Sequence, residues 1–401
     1  MRFVLLQNGL KDRHTHFYNE TMGWLDACQR RGHQVKVYTH KLADPIVLLE
    51  TGGVPVFSFK LGANPSDGQG WSRRQTFLLS ASGYAKTIGS ISPGIGVDDV
   101  VVVPYSTDWQ VYGIAQWMES IPVGARPRIV FIFHLPNLNW TPDRKSVHLQ
   151  GDFSNIRQAF SHLKSVTSLE TVLCLATNRA LCRELVRVLG VPFSTCPVPI
   201  SYFETDAVAD PAEGQTERAH VGVMGEFRLE KGALLIADTL EQFNQARPGK
   251  TMFAQSNYSG TTDAPGLEKL RRLDVDKITV FDGEMSQPDY TDRLNNIDIF
   301  LLPYQRERYM FRISAIFAEA VAYGAVVVVP DQTWMAAQLE NGFGAGVVFE
   351  TPSAPEICRA LMEASDRFPE LSKKAQAGVT EWRRTQCTDA LVEYVISRLS
   401  T

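Results

Sequence analysis

Short runs of apolar, β-branched residues alternate with helical segments along the whole chain, and this alternation limits the fold more than any other feature. The first unit is a strand over residues 3–7, a helix over residues 16–31 and a strand over residues 35–38. A strand, a crossover helix and a second strand in this order form a parallel βαβ unit. Further buried strands are expected over residues 100–104, 129–133 and 172–176. The first half of the chain therefore predicts a doubly wound α/β domain.

The alternation restarts after a polar, acidic segment that contains Pro and Gly, "YFETDAVADPAEGQTERAH". A helix is expected from Ala233, and strands are expected over residues 220–224, 251–254, 277–281, 297–302 and 326–329. We therefore predict an α/β fold of two facing Rossmann-like domains with an interdomain cleft. The predicted parts are residues 1–205, a linker at 206–219, residues 220–378, and a final segment at 379–401. The final segment is predicted as one helix over residues 380–399. Packing of this helix against the first domain is one arrangement that we consider.

Composition and charge exclude several classes of function. The 401 residues carry a net charge of -4, which argues against broad nucleic-acid binding because that requires a strong positive field. No apolar run approaches the ~20 residues that cross a bilayer, and residues 1–6 do not resemble a signal peptide. The six cysteines are scattered without a CxxC pair, as is typical of reduced thiols. We therefore expect a cytoplasmic protein with no metal site.

The loop after the first strand of the second half, "GEFRLEKG", has the features of an anion site. Gly225, Arg228, Lys231 and Gly232 directly precede a predicted helix. A helix N-terminus offers free N–H groups and the positive end of a dipole, and both suit a phosphate. A solvated surface loop is the alternative interpretation, because Arg and Lys are usually exposed.

A second loop, "LLPYQRERYMFRIS", brings Arg312 and ends at Ser314, which is placed to cap the next helix. That helix carries Glu319 among apolar residues, where an unpaired carboxylate costs several kcal/mol. A carboxylate that accepts two ribose hydroxyls is satisfied by charge-assisted bonds. Since ligands bind beyond the carboxyl ends of the strands in open α/β sheets, the two loops predict one ligand, a diphosphate joined to a sugar. A solvent-facing Glu319 is the alternative.

The pairing of "GEFRLEKG" with "SAIFAEAVAYGAVVVVP" resembles the nucleotide-sugar domain of GT-B glycosyltransferases, especially family 4. The first half is similar in order, through the "QNG" loop that contains Gly9 and the segment "VFIFHLP". The resemblance implies that Lys231 neutralises the donor diphosphate and that Glu319 binds the ribose. It also implies that His134 contacts the donor sugar and that Gly9 and Gly225 contribute to the donor site.

Two positions depart from the pattern of that family. Glu226 stands where the family usually has Arg directly after the loop glycine, and we infer that Arg228 takes its role. Phe311 stands eight positions before Glu319, where the family has a Glu that handles the transferred sugar. Arg312 and Ser314 are the neighbours most able to take over that role, by side chain and by backbone N–H.

The resemblance implies a glycosyltransferase that moves a sugar from a nucleotide-diphosphate sugar to a glycan, a lipid-linked molecule or a small molecule. It implies retention of the anomeric configuration and no required metal or other cofactor. The catalytic roles are assigned to His134, Arg228 and Lys231. Two alternatives stay open: a nucleotide-sugar 2-epimerase, which uses acid/base carboxylates and histidines, and a non-catalytic protein that binds a partner.

Three other motifs have competing interpretations. The segment "DVD", residues 274–276, resembles a metal-binding DxD motif, but its position between a helix and a strand favours a turn. Residues 71–84, which include Arg73 and Arg74, are interpreted as a core-facing helix, with contact to a membrane surface or an acceptor as the alternative. His14 and His16 follow the first strand, where they either bind the acceptor or face solvent.

Overall fold

The computed structural model describes residues 1–13, 15–58, 72–136, 148–149, 151–200, 220–255, 264–273, 278–283 and 285–399. The chain forms two compact units. The first contains Met1–Ser201 and Gln386–Thr401, and the second contains Tyr202–Thr385. The predicted linker at 206–219, the segment 274–276 and His14 lie outside the described residues. No helix in the described ranges is long and apolar enough to cross a membrane.

The first unit is built on a parallel sheet, for which the described residues supply seven strands. They are β1 (Arg2–Gln7), β2 (Gln34–His40), β3 (Val54–Phe57), β4 (Asp99–Val103), β5 (Arg128–Phe133), β6 (Val172–Ala176) and β7 (Ser194–Thr195). Their order in the sheet is β3-β2-β1-β4-β5-β6-β7. The direction of winding therefore reverses between β1 and β4, and the ends of these two strands mark the position where such sheets bind ligands.

The helices of the first unit connect these strands, and a last one comes from the C-terminus. They are α1 (His16–Arg30), α2 (Pro45–Thr51), α3 (Arg73–Ile91), α4 (Asp108–Glu119), α5 (Ser154–Val166) and α6 (Arg179–Leu189), with α15 (Thr388–Leu399) at the end of the chain. α3 begins with a capping box, in which the Ser72 hydroxyl accepts from the Gln75 N–H and the Gln75 side chain accepts from the Ser72 N–H. It buries Phe77 and exposes half of Leu79, so one face of this helix lies on the core.

The second unit repeats the same winding with strands β8 to β13. They are β8 (Val221–Val223), β9 (Met252–Gln255), β10 (Ile278–Phe281), β11 (Ile299–Leu301), β12 (Val326–Pro330) and β13 (Ala345–Phe349). Their order is β10-β9-β8-β11-β12-β13, so the reversal falls between β8 and β11. β12 is a continuous valine run because helices cover both faces of a parallel sheet.

The helices of the second unit follow its strands in turn. They are α7 (Ala233–Ala246), α8 (Ala264–Arg271), α9 (Gln287–Asn296), α10 (Arg306–Tyr309), α11 (Ala315–Ala322), α12 (Trp334–Glu340), α13 (Ala354–Asp366) and α14 (Phe368–Thr385). α7 and α13 pack together over the central strands, with Phe243 and Leu361 fully buried. The two strands at the reversal, β8 and β11, therefore pack against the hydrophobic core that these helices form.

The prediction of a single helix over residues 380–399 is wrong. The chain forms α14 up to Thr385 and then starts α15 at Thr388. α15 packs on α1, where Arg30 and Arg31 each donate to the Asp389 carboxylate at 2.6 Å. The boundary between the units consequently falls at residues 385 and 386, and the predicted bounds at 378 and 379 are corrected by seven residues.

Candidate functional site

The exit loops of β8 and β11 contact each other at the reversal of the second sheet. The N–H of Gln305 donates to the carbonyl oxygen of Glu230 at 2.8 Å. Gly232 adopts φ +79°, and a Cβ at this position would lie 2.2 Å from the Pro303 carbonyl oxygen. Because only glycine combines this backbone conformation with so close an approach, Gly232 is what allows the two loops to meet directly before α7.

Lys231 places a partly buried ammonium group in this corner. Its Nζ lies 5.8 Å from the ring centroid of Tyr304, and a Cβ on Gly225 would lie 3.2 Å from it. Burial, and then the charge of Arg228, lower the pKa of Lys231 to about 8. Among the described residues, no carboxylate lies within ion-pair distance of this ammonium. A partly buried cation without an ion-pair partner is suited to an incoming anion.

Arg228 differs from Lys231, because acidic neighbours already pair with its charge. Its guanidinium donates to the Glu226 carboxylate and lies 3.6 Å from a Glu230 oxygen. Glu226, the residue that departs from the family pattern, thus forms an ion pair with Arg228. The role of Arg228 at a diphosphate stays a prediction.

The second loop ends at two predicted site residues, Arg312 and Ser314. The Ser314 hydroxyl caps α11 by accepting from the Phe317 N–H at 3.2 Å. Burial lowers the pKa of Arg312, and its Nε has no hydrogen-bond partner in the described part of the chain. Phe311 is 1% exposed, so its side chain belongs to the core of the second unit.

Glu319 lies on α11, and its carboxylate accepts a hydrogen bond from the Tyr290 hydroxyl at 2.5 Å. Burial raises the pKa of Glu319 to about 7, while the bond from Tyr290 and the charge of Lys231 lower it. The second unit therefore brings a cation and a carboxylate together beside the ends of β8 and β11. That pair can meet the phosphate and the hydroxyl groups of a single ligand.

His134 lies in the first unit, directly after β5, and is 5% exposed. One ring nitrogen, Nε2, donates to the Pro104 carbonyl oxygen at 2.9 Å, and Nδ1 lies 3.2 Å from the Thr177 hydroxyl. Burial lowers the pKa of His134 to about 3, so the ring is neutral near pH 7. Since protein groups occupy both nitrogens in this structure, its contact with a donor sugar stays a prediction.

Gly9 lies in the turn after β1, at the reversal of the first sheet. The preceding residues, Gln7 and Asn8, are 1% exposed, and their side-chain nitrogens have no hydrogen-bond partner within the described ranges. Gly9 and His134 are thus in the first unit, whereas the other predicted site residues, Gly225, Arg228, Lys231, Arg312, Ser314 and Glu319, are in the second.

Comparisons with known proteins bear on the fold. No protein-family model matches the chain, and none of the curated proteins is similar to it in sequence. A glycosyltransferase from Rickettsia africae ESF-5 has a TM-score of 0.65 and 13% identity, covering 100% of this chain and 98% of that chain. The UDP-forming α,α-trehalose-phosphate synthase from Burkholderia xenovorans, in complex with glucose-6-phosphate, has a TM-score of 0.66 and 12% identity. Anabaena HepE, in complex with UDP and glucose, has a TM-score of 0.64 and 14% identity, and both of these matches cover 100% of each chain.

The chain has the GT-B fold. The predicted class, two Rossmann-like domains in one α/β chain, is confirmed. At 12–14% identity, these similarities define the fold alone.

Sequence reasoning missed two partly or fully buried groups of this GT-B chain. Tyr290, the partner of Glu319, lies in the polar helix "QPDYTDRLNN", where a lone aromatic residue was the available signal. Glu20 is 1% exposed on α1, and burial raises its pKa to about 8. It lies four residues before Trp24 and eight before Cys28, on the stripe that helical spacing buries.

Proposed function

We propose that the protein is a glycosyltransferase that uses a nucleotide-diphosphate sugar as its donor. The second unit binds the donor: Lys231 meets the diphosphate at the start of α7, and Glu319 accepts the ribose hydroxyls. The observation that carries the proposal is a partly buried ammonium with no ion-pair partner in the described chain, beside a carboxylate at the reversal of a parallel sheet. Proteins of the same fold bind UDP with glucose, and glucose-6-phosphate.

The reaction breaks the bond between the anomeric carbon and a diphosphate oxygen and forms a bond between that carbon and an acceptor oxygen, whose proton passes to the departing diphosphate. Negative charge grows on the departing diphosphate, and Lys231 and Arg228 stabilise it more in the transition state than in the ground state. The first unit binds the acceptor, a glycan, lipid-linked or small molecule, and the configuration is retained. His134 contributes as a neutral group, because its pKa is far below 7.

A calorimetric binding screen with UDP, GDP, ADP, CDP and dTDP tests the proposal, followed by a co-crystal structure with the nucleotide that binds. One nucleoside diphosphate is expected to bind with clear preference. Binding of none would contradict the proposal. Incubation with the matching nucleotide sugar alone then separates the two enzyme classes, since an epimerised sugar in the absence of acceptor indicates an epimerase.

One observation favours a non-catalytic second candidate. Phe311 is buried in the core, at the position where the resemblance implies a carboxylate that handles the transferred sugar. In this second candidate, the second unit binds a nucleotide, but no sugar is transferred because that carboxylate is absent. Tight nucleotide binding without product, over a panel of sugar phosphates and glycans as acceptors, would support that candidate.

Nucleotide-sugar affinity is expected to be highest between about pH 7 and pH 8. Below about pH 7, Glu319 takes up a proton and loses its charge as an acceptor. Above about pH 8, Lys231 loses its proton and its charge. Calorimetric titrations from pH 5.5 to pH 9.5 measure the profile, with a nucleotide sugar as the probe because a terminal phosphate would itself titrate near pH ~6. A flat profile would contradict the assignment of both residues.

Activity is expected to persist in excess EDTA. Lys231, Arg228 and two helix N-termini meet the diphosphate charge in the proposed site, so no divalent ion is needed for that task. Product formation is measured with and without the chelator. If activity disappears with EDTA and returns with manganese or magnesium, a metal takes part, and Asp274 and Asp276 become the first residues to substitute.

A further inference from the structure

Tyr290 is the hydrogen-bond donor that the structure gives to Glu319. It lies in the first turns of α9, which the Ser286 hydroxyl caps by accepting from the Asp289 N–H. From there its hydroxyl reaches across to α11 and donates to Oε2 of Glu319 at 2.5 Å. Both side chains are only partly exposed, so water competes poorly for this bond. The bond occupies one position on a carboxylate that has about four acceptor positions.

Several other titratable or charged groups face Glu319 or the end of its helix. Lys231 approaches from the turn before α7, and Tyr304 approaches from the exit loop of β11. Tyr323 ends α11 and lies close to Tyr290. From α14, the Arg383 guanidinium donates to the Ala322 carbonyl oxygen at 2.7 Å and lies over the Tyr323 ring at 5.2 Å. Within the described residues, the hydrogen bond to the Glu319 carboxylate comes from Tyr290.

We propose, on the basis of the proposed function, that Tyr290 is a positioning residue of the nucleotide site, whose hydroxyl holds the Glu319 carboxylate oriented for a ribose. One donor fixed on Oε2 limits rotation of the carboxylate, so the remaining acceptor positions on its two oxygens keep fixed directions. A vicinal diol requires two acceptors at a fixed separation, so this orientation lowers the entropy lost on binding. The same bond stabilises the ionised form of Glu319 over the protonated form.

In a competing arrangement, the Tyr290 hydroxyl takes the acceptor position on Glu319 that a ribose hydroxyl needs, and it leaves when a ribose arrives. The two arrangements predict opposite signs. A positioning hydroxyl strengthens nucleotide binding, so its removal weakens affinity. A competing hydroxyl must be displaced, so its removal strengthens affinity. The number of acceptor positions favours the first arrangement, because one phenol and two ribose hydroxyls fit on a single carboxylate.

Tyr290→Phe is the test, since it removes one oxygen and keeps the ring. Affinity for the nucleotide sugar that binds the wild-type protein is expected to fall about tenfold at pH 7. The pKa of Glu319 is expected to rise, because the variant lacks a donor that favours the charged form. The pH at which affinity falls on the acid side is therefore expected to move up by about one pH unit. A purely structural role would change affinity without moving that pH.

Tyr18→Phe is a matched control, because the Tyr18 hydroxyl also donates to a glutamate, Glu50, at 2.7 Å, in the first unit. It is expected to leave the affinity and its pH dependence unchanged. Tighter binding of the nucleotide sugar by Tyr290→Phe would overturn the proposal. So would an unchanged pH at which the affinity falls on the acid side.

A measurement without nucleotide separates this proposal from the proposed function. The carboxyl carbon of Glu319 can be followed by NMR in protein labelled with ¹³C-glutamate and assigned by Glu319→Gln. Its titration is expected to move up by about one pH unit in Tyr290→Phe. A shift in the free protein, with no nucleotide sugar bound by the wild type, would support the Tyr290–Glu319 coupling and refute its role at a nucleotide. An unmoved titration would refute the coupling itself.

Discussion

Replacing Lys231 by alanine is expected to lower turnover at least ~100-fold, the scale seen when one electrostatic stabiliser is removed. The ammonium is partly buried, and no carboxylate in the described structure forms an ion pair with it, so an incoming anion can pair with it. Because the charge on the diphosphate grows as the sugar departs, the rate is expected to fall more than the donor affinity. Turnover is measured as release of nucleoside diphosphate from the donor that the screen identifies.

Arg228→Ala is expected to lower turnover by a smaller factor, about tenfold, because Glu226 and Glu230 already pair with the Arg228 guanidinium. The double variant is expected to lose less than the product of the two factors, since both cations act on one charge. Lys269→Ala is the matched control: this lysine, on α8 of the same unit, pairs with Asp238 at the surface. Turnover within about twofold of wild type in a folded Lys231→Ala protein would refute the role of Lys231.

The central strands could be predicted from the sequence because burial on both faces leaves a continuous apolar run. β6 matches its predicted bounds, and β12 extends one residue further, to Pro330. The edge strand β10 was predicted too, over residues 277–281, but both edge strands of the first sheet, β3 and β7, and the edge strand β13 of the second were missed. β3 contains a proline and β7 has two residues, and such short strands lack the apolar pattern of central ones because an edge has a neighbour on one side only.

The site could be predicted only as far as local motifs extend. The loop before α7 and the isolated carboxylate on α11 made Lys231 and Glu319 the candidates for the site, and the structure places both beside the ends of β8 and β11. Their surroundings depend on tertiary packing: Tyr290 lies 29 residues before Glu319 along the chain, and nothing in its own helix indicates that partner. Likewise, Arg228 and Glu226 are two residues apart, and only the folded loop shows that their side chains pair.

Replacing Glu319 by glutamine is expected to weaken nucleotide binding by about 2 kcal/mol, which is about 30-fold. Glutamine has the same shape but no charge, and it presents an N–H₂ group where the carboxylate accepts a ribose hydroxyl. It keeps one oxygen as an acceptor for Tyr290. Alanine is the poorer choice, because it would leave the Tyr290 hydroxyl without the acceptor it has in the structure. Calorimetry measures the affinity, and circular dichroism verifies the fold.

The role of Glu319 can be separated from a general loss of binding by changing the ligand. The wild-type protein is expected to bind the nucleoside diphosphate at least ~10-fold more tightly than its 2′-deoxy form, because the deoxy form loses one charge-assisted bond. In Glu319→Gln, the ratio between the two affinities is expected to be smaller, because the variant already has a weaker bond to the 2′-hydroxyl. If the variant keeps the full preference, another residue reads the 2′-hydroxyl. If its affinity is unchanged as well, the carboxylate serves only to pair with Tyr290 and to offset the charge of Lys231.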